Sequence, residues 1–365
     1  MGNQLTCMAN NKSVTDSQIK STRSSSSKKA KSRARLEEEL LQQQQALALA
    51  LFHQQQKVGR AMSQRYNDTA AAAALHRKGG FARSSSARPR SLADPELPPH
   101  QFLERPDLVS IETTHFVLVH GGGYGAWCWY KSIALLEEAG FAATAIDLTA
   151  SGIESTDPNC VTSLSQYAKP LSDFLGSLPQ GEKVILVGHD FGGACVSHAM
   201  EWYPSKISKA IFVAAAMPTN SQRAFDVFAV ELMSPADLLL QAQIFTYANG
   251  ESNAPTALAF DRSAVKELFF NRSPAKDVAL ASVSLRPIPF APVLERLVLT
   301  QDKYGTVRRF FVETPDDNAL TSELQHRIVA GNPPERVFKV KGSDHSPFFS
   351  KPQSLHRALV EIAHS

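Results

Sequence analysis

The sequence predicts an α/β domain, a mostly parallel sheet with helices on both faces, preceded by a long segment of different character. Three observations lead there. Short apolar runs within residues 115–119, 183–187 and 210–215 have the length and β-branched content of fully buried strands. Glycine-rich turns follow the first two runs directly. Helix-forming stretches separate the runs, and a strand, helix, strand order calls for crossover connections and hence parallel pairing.

The domain is expected over residues 106–365, because residues 1–105 carry no periodic apolar pattern apart from 36–52. They hold serine runs at 24–27 and 84–86, a glutamine run and five successive alanines at 70–74. Such a segment buries too little apolar surface to offset its ordering entropy, so disorder is expected, with one transient helix at LEEELLQQQQALALALF. Charge divides at the same place. The first 110 residues hold 17 Lys and Arg against 9 Asp and Glu, so with +3 overall the remainder carries −5. A mildly acidic domain excludes the basic face that nucleic-acid binding requires.

Up to Arg35 there are eight basic residues and one acid, Asp16, a serine-rich balance that resembles a plastid transit peptide and predicts a chloroplast location. A competing reading is membrane-surface anchoring, through myristoylation at Gly2 in the pattern MGNQLT and palmitoylation at Cys7. The four cysteines are scattered without Cys-x-x-Cys spacing, which fits a reducing compartment and suggests no metal site. No apolar run approaches the length of a membrane-spanning helix.

Within the domain, the strand at 115–119 runs into His120-Gly121-Gly122-Gly123-Tyr124-Gly125, a loop able to present free N–H groups to an anion. A helix is expected over 127–138, a strand over 142–148 and a helix over 164–178. The run KVILV then ends in Gly188-His189-Asp190-Phe191-Gly192-Gly193. This has the form of a nucleophile elbow, where a sharp strand-to-helix turn lifts one side chain above the sheet. Its central residue is Asp190 where serine is usual. With a helix at 194–202 and a strand at 210–215, the order is that of an α/β-hydrolase fold.

Between 217 and 306 the alternation lapses into a Phe-, Leu- and Pro-rich stretch, read as a helical lid with short helices at 238–245, 265–268 and 275–281. The sheet resumes at 308–313, followed by Asp316 and Asp317, and again at 336–340, followed by Asp344 and His345; a helix over 354–364 closes the chain. Asp190, Asp316 and His345 thus stand in the order nucleophile, acid, histidine. Asp316 is the preferred acid for its place at the strand end, with Asp317 and Asp344 as fallbacks. The backbone N–H groups of Gly122 and Phe191 are the expected oxyanion donors, while His120 and His189 are read as supporting loop geometry.

HFVLVHGGGYGAWCWYK, KVILVGHDFGG, SPAKDVALASVSLRP and KGSDHSPFFSKPQSL together resemble the plant methylesterase family over residues 115–365. The resemblance implies cleavage of methyl esters of hormone-type acids such as indole-3-acetate, jasmonate and salicylate, with Asp190, Asp316 and His345 catalytic and Gly122 and Phe191 stabilising the oxyanion. It also implies no cofactor and a small-molecule ester as partner, and leaves assembly open, a homodimer included. Hydroxynitrile lyases share the pattern but place lysine after the histidine, where this chain has Ser346. Asp190 is the departure, similar to a subgroup with long leaders. It leaves two alternatives: an Asp-nucleophile hydrolase of the epoxide hydrolase type, or a non-catalytic hormone-binding protein. For a methyl ester, attack at the carbonyl is the expected route, since donors at Gly122 and Phe191 would meet charge developing on a carbonyl oxygen.

Overall fold

The computed structural model describes residues 113–228 and 238–365. The leader expected over 1–105, with Gly2 and Cys7, lies outside the described residues. Six strands form one parallel sheet: β1 (His115–Val119), β2 (Ala142–Ile146), β3 (Val184–Asp190), β4 (Ile207–Ala215), β8 (Arg308–Glu313) and β9 (Arg336–Lys339), in the order β2-β1-β3-β4-β8-β9. Because every strand runs the same way, the loops that follow β1, β3, β8 and β9 emerge at one edge. A ligand in an open parallel sheet sits beyond that edge.

The apolar runs are continuous because both faces of the sheet are covered. Val117, Leu186, Phe212 and Phe311 point into one core, shared with Leu171 and Leu175 of α2 (Lys169–Ser177) and Val196 and Met200 of α3 (Gly192–Trp202). Phe116, Val187, Val213 and Phe310 point into the other, shared with Leu136 of α1 (Tyr130–Glu138) and Leu355, Leu359 and Ile362 of the closing helix Pro352–His364.

Two expected helices differ. The helix read over 164–178 breaks at Ala168 and restarts as α2 with Pro170 in its first turn. Proline has no N–H to give the carbonyl of Gln166, and the Thr149 hydroxyl bonds that carbonyl instead, at 2.7 Å. The stretch 238–245 is helical only through Gln241. Its second half is β5 (Gln243–Thr246), which pairs with β6 (Ala257–Phe260), itself paired with β7 (Ile288–Pro289), in a small antiparallel sheet. The insertion between β4 and β8 is therefore mixed, with α4 (Arg262–Phe269) and α5 (Ala275–Ser284) beside these strands. It is fastened to the main body by Lys131, whose Nζ lies 2.6 Å from the buried Asp277 carboxylate, to which the Tyr130 hydroxyl also donates.

Candidate active site

Asp190 ends β3 with φ of 49°, a left-handed conformation that a non-glycine residue holds only when its surroundings enforce it. Crowding enforces it here. A Cβ on Gly192 would lie 2.4 Å from the His120 carbonyl oxygen, and one on Gly193 would lie 2.1 Å from that of Ala216. Only glycine lets α3 start this close to the β1 and β4 loops, and the turn that results lifts Asp190 into the pocket.

The structure corrects the acid. Asp317, not Asp316, meets His345: its Oδ2 lies 2.9 Å from Nδ1, and both side chains are buried. Asp317 is locked by the Thr314 hydroxyl on Oδ2 and by the N–H groups of Ala319 and Leu320 on Oδ1. Asp316 turns outward, 34% exposed, and pairs with Arg272 at 3.1 Å. The signal for Asp317 was local, since its N–H donors sit two and three residues downstream as in an Asx turn, whereas Asp316 has no such partners. Asp344 is buried and holds the loop that carries His345, accepting from the N–H groups of Arg272 and Ser346 and the Ser273 hydroxyl.

On its other side His345 presents Nε2, which has no hydrogen-bond partner among the described residues and lies 3.9 Å from Asp190 Oδ1. Burial opposes charge on this ring. The charge and hydrogen bond of Asp317 outweigh it, with help from Asp190 and Asp344, and raise its pKa to about 9. Burial pushes the Asp190 carboxyl upward, against the pull of His345 and of the two N–H groups it accepts from. Its side chain is still 22% exposed to the pocket, where solvent tempers that desolvation.

Those donors are the Gly122 N–H, 2.8 Å from Oδ2, and the Phe191 N–H. Both groups expected to serve an oxyanion converge, and in this structure they bind the carboxylate of Asp190. The neighbouring histidines hold loops. His120 accepts the Leu148 N–H at Nε2, which leaves Nδ1 to donate to the Gly121 carbonyl, and burial lowers its pKa to about 4. His189 donates from Nε2 to the His345 carbonyl, fixing that loop against β3.

Above the three groups lies a pocket with about 700 Å³ of empty space counted to its mouth, within the range of small-ligand sites. Its floor is Gly122, Asp190, Phe191 and His345, and its walls include Phe225, Leu258, Ile288 and Phe290 from the insertion. Gln243 of β5 is the one further polar side chain among its described lining residues. These wall residues are not individually legible in the sequence, because apolar residues that line a pocket and those that pack an insertion look alike.

The pattern for the alpha/beta hydrolase family matches residues 116–358. A protein of Arabidopsis thaliana provisionally named methylesterase 11, chloroplastic, is 58% identical over 305 residues, 83% of this chain and 77% of its own. Methyl jasmonate esterase 1 of Vitis vinifera is 40% identical over 69% of this chain and 97% of its own. Among solved structures, methylesterase protein MES16 from Arabidopsis superposes with a TM-score of 0.62 at 35% identity, over 68% of this chain and 98% of that one. With the elbow, the buried His345–Asp317 pair and the converging N–H donors at the carboxyl edge of a parallel sheet, these likenesses establish that the chain belongs to the plant methylesterase family of α/β-hydrolases.

Proposed function

We propose that the protein hydrolyses methyl esters of small, largely apolar carboxylic acids, of the indole-3-acetate, jasmonate and salicylate class, to the free acid and methanol. Asp190, His345 and Asp317 act as the catalytic group, and the N–H groups of Gly122 and Phe191 stabilise developing negative charge. One observation carries the reading: His345 stands between the Asp317 and Asp190 carboxylates at the floor of an apolar pocket. The apolar walls support an acyl group with a ring or short hydrocarbon chain. The esterase names of the relatives support the methyl ester as the bond cleaved.

Methanol release from a panel of methyl esters, by the wild type and by Asp190→Asn, tests the reading. Turnover by the wild type and its loss in the variant are expected. No turnover of any ester, with the free acids still bound in direct titration, would make the protein a hormone-binding module instead. Turnover of epoxides alone would make it an epoxide hydrolase.

Residence in plastids is supported by the chloroplastic name of the relative that shares 58% of its residues. Residues 1–105 then act as the import leader. A fluorescent fusion of these residues should enter plastids, and a cytosolic or plasma-membrane signal would overturn that placement.

A further inference from the structure

We infer that Asp190 is the nucleophile and that its Oδ1 attacks the methyl carbon of the ester, not the carbonyl carbon, so that the intermediate is a methyl ester of Asp190 itself. This rests on the ester-hydrolase reading above and reverses the carbonyl route expected from the sequence. The reason is where the second carboxylate oxygen lies. Carbonyl attack needs the Gly122 and Phe191 N–H groups free to receive the substrate's carbonyl oxygen, and both are occupied by Asp190. Oδ2 is held by the Gly122 N–H, and Oδ1 is the oxygen beside His345.

Methyl transfer puts this arrangement to use in both halves of the reaction. In the first, Oδ1 bonds to the methyl carbon while that carbon's bond to the ester oxygen breaks, and the bonding pair leaves with the carboxylate. A carboxylate is a poor leaving group, but His345 rests protonated at neutral pH and faces the pocket through Nε2. Its proton passes to the departing acid. Loss of that proton turns His345 into a base at the moment one is needed, and methylation removes the negative charge of Asp190 that had helped to hold it. In the second half, His345 takes a proton from water and the oxygen adds to Cγ of Asp190. Negative charge then grows on Oδ2, which already accepts the Gly122 N–H. Collapse expels methanol, which takes the proton back from His345, and the new carboxyl of Asp190 returns its own proton to that ring. One ester and one water give one acid and one methanol.

A single turnover of an ester carrying oxygen-18 in its methoxy position, with enzyme in excess, decides which bond breaks. The inference expects the label in the acid and none in the methanol, whose oxygen comes from Asp190. Label in the methanol would overturn it while leaving the ester-hydrolase reading intact. Absence of any turnover by the wild type would remove that reading and this route with it. Two further measurements bear on the same step. Rapid acid quench of the wild type during a single turnover should catch a peptide in which Asp190 is one methyl ester heavier, and a peptide unmodified at every time while product acid forms would count against the route. Phenyl esters, which offer no saturated carbon to attack on the alcohol side, should be inert to the wild type; their cleavage faster than the methyl esters would overturn the inference.

Discussion

Replacing Asp317 with asparagine tests the site's geometry through a pair of neighbours that sequence alone could not rank. Asp317 accepts from His345 and Thr314 on one oxygen and from two backbone N–H groups on the other. Asparagine can keep only one side. If its carbonyl stays with Ala319 and Leu320, its NH2 points at His345 Nδ1, and the ring must present a bare nitrogen there. The imidazolium is then lost, and burial drives the pKa of His345 down from about 9. Breaking a buried pair by removing one partner costs about 3–5 kcal/mol. The analogous change in a Ser-His-Asp triad lowers turnover by about 10⁴-fold, and a similar loss is expected here. Asp316→Asn is the control. Its partner Arg272 is 48% exposed, so the change should cost under ~1 kcal/mol and leave turnover nearly intact. Methanol release and NMR titration of the His345 ring measure both variants. Equal damage from the two, or a harmless Asp317→Asn, would refute the placement of the acid.

Gly192→Ala should lose on the order of 3 kcal/mol in urea unfolding and most turnover, because its Cβ would meet the His120 carbonyl at 2.4 Å; a variant as stable as the wild type would contradict the crowding described at the elbow. Lys131→Met leaves Asp277, 1% exposed, with only the Tyr130 hydroxyl; with Lys131 itself 18% exposed, a loss of ~2 kcal/mol and a Tm lower by several degrees are expected, and no change would show that the insertion is held otherwise. Removing residues 1–105 should leave Tm unchanged, since the described core begins at β1, and an aggregated product would refute the domain boundary. Stability should fall as pH climbs from 6.5 towards about 9, by on the order of 3 kcal/mol. A histidine raised in the folded state stabilises it fully below its unfolded value and loses that contribution as its folded value is passed. Asp317→Asn should flatten the slope.

The fold was legible where one local signal decided it. β1 and β8 fall on the expected residues because a buried parallel strand is a continuous apolar run with abrupt ends, and the elbow declared itself by three glycines around a non-glycine. Competing signals hid the rest. The apolar spacing of 164–178 is helical on both sides of Pro170, so only the missing N–H reveals the break. The segment 238–245 alternates like a strand only in its second half, and its partner in β6 lies more than ten residues away. Asp316 and Asp317 are adjacent acids that differ in which way the loop turns them, a choice made by the N–H groups of Ala319 and Leu320. Least legible was the occupancy of the Gly122 and Phe191 donors. The sequence showed donors and carboxylate to be near one another, but not that one would fill the other.

The central claim is that Asp190, His345 and Asp317 work as one unit whose resting proton lies on His345, and the pH dependence of kcat/KM for a methyl ester tests it most directly. The account predicts full activity at neutral pH and a fall as pH rises through about 9, where His345 loses the proton it must give to the departing acid. The rate should also fall in acid, below the point at which the Asp190 carboxylate takes up a proton, above the usual carboxylate range. A rate that climbs through about 9 instead would mean that neutral His345 is the working form, and would contradict the account.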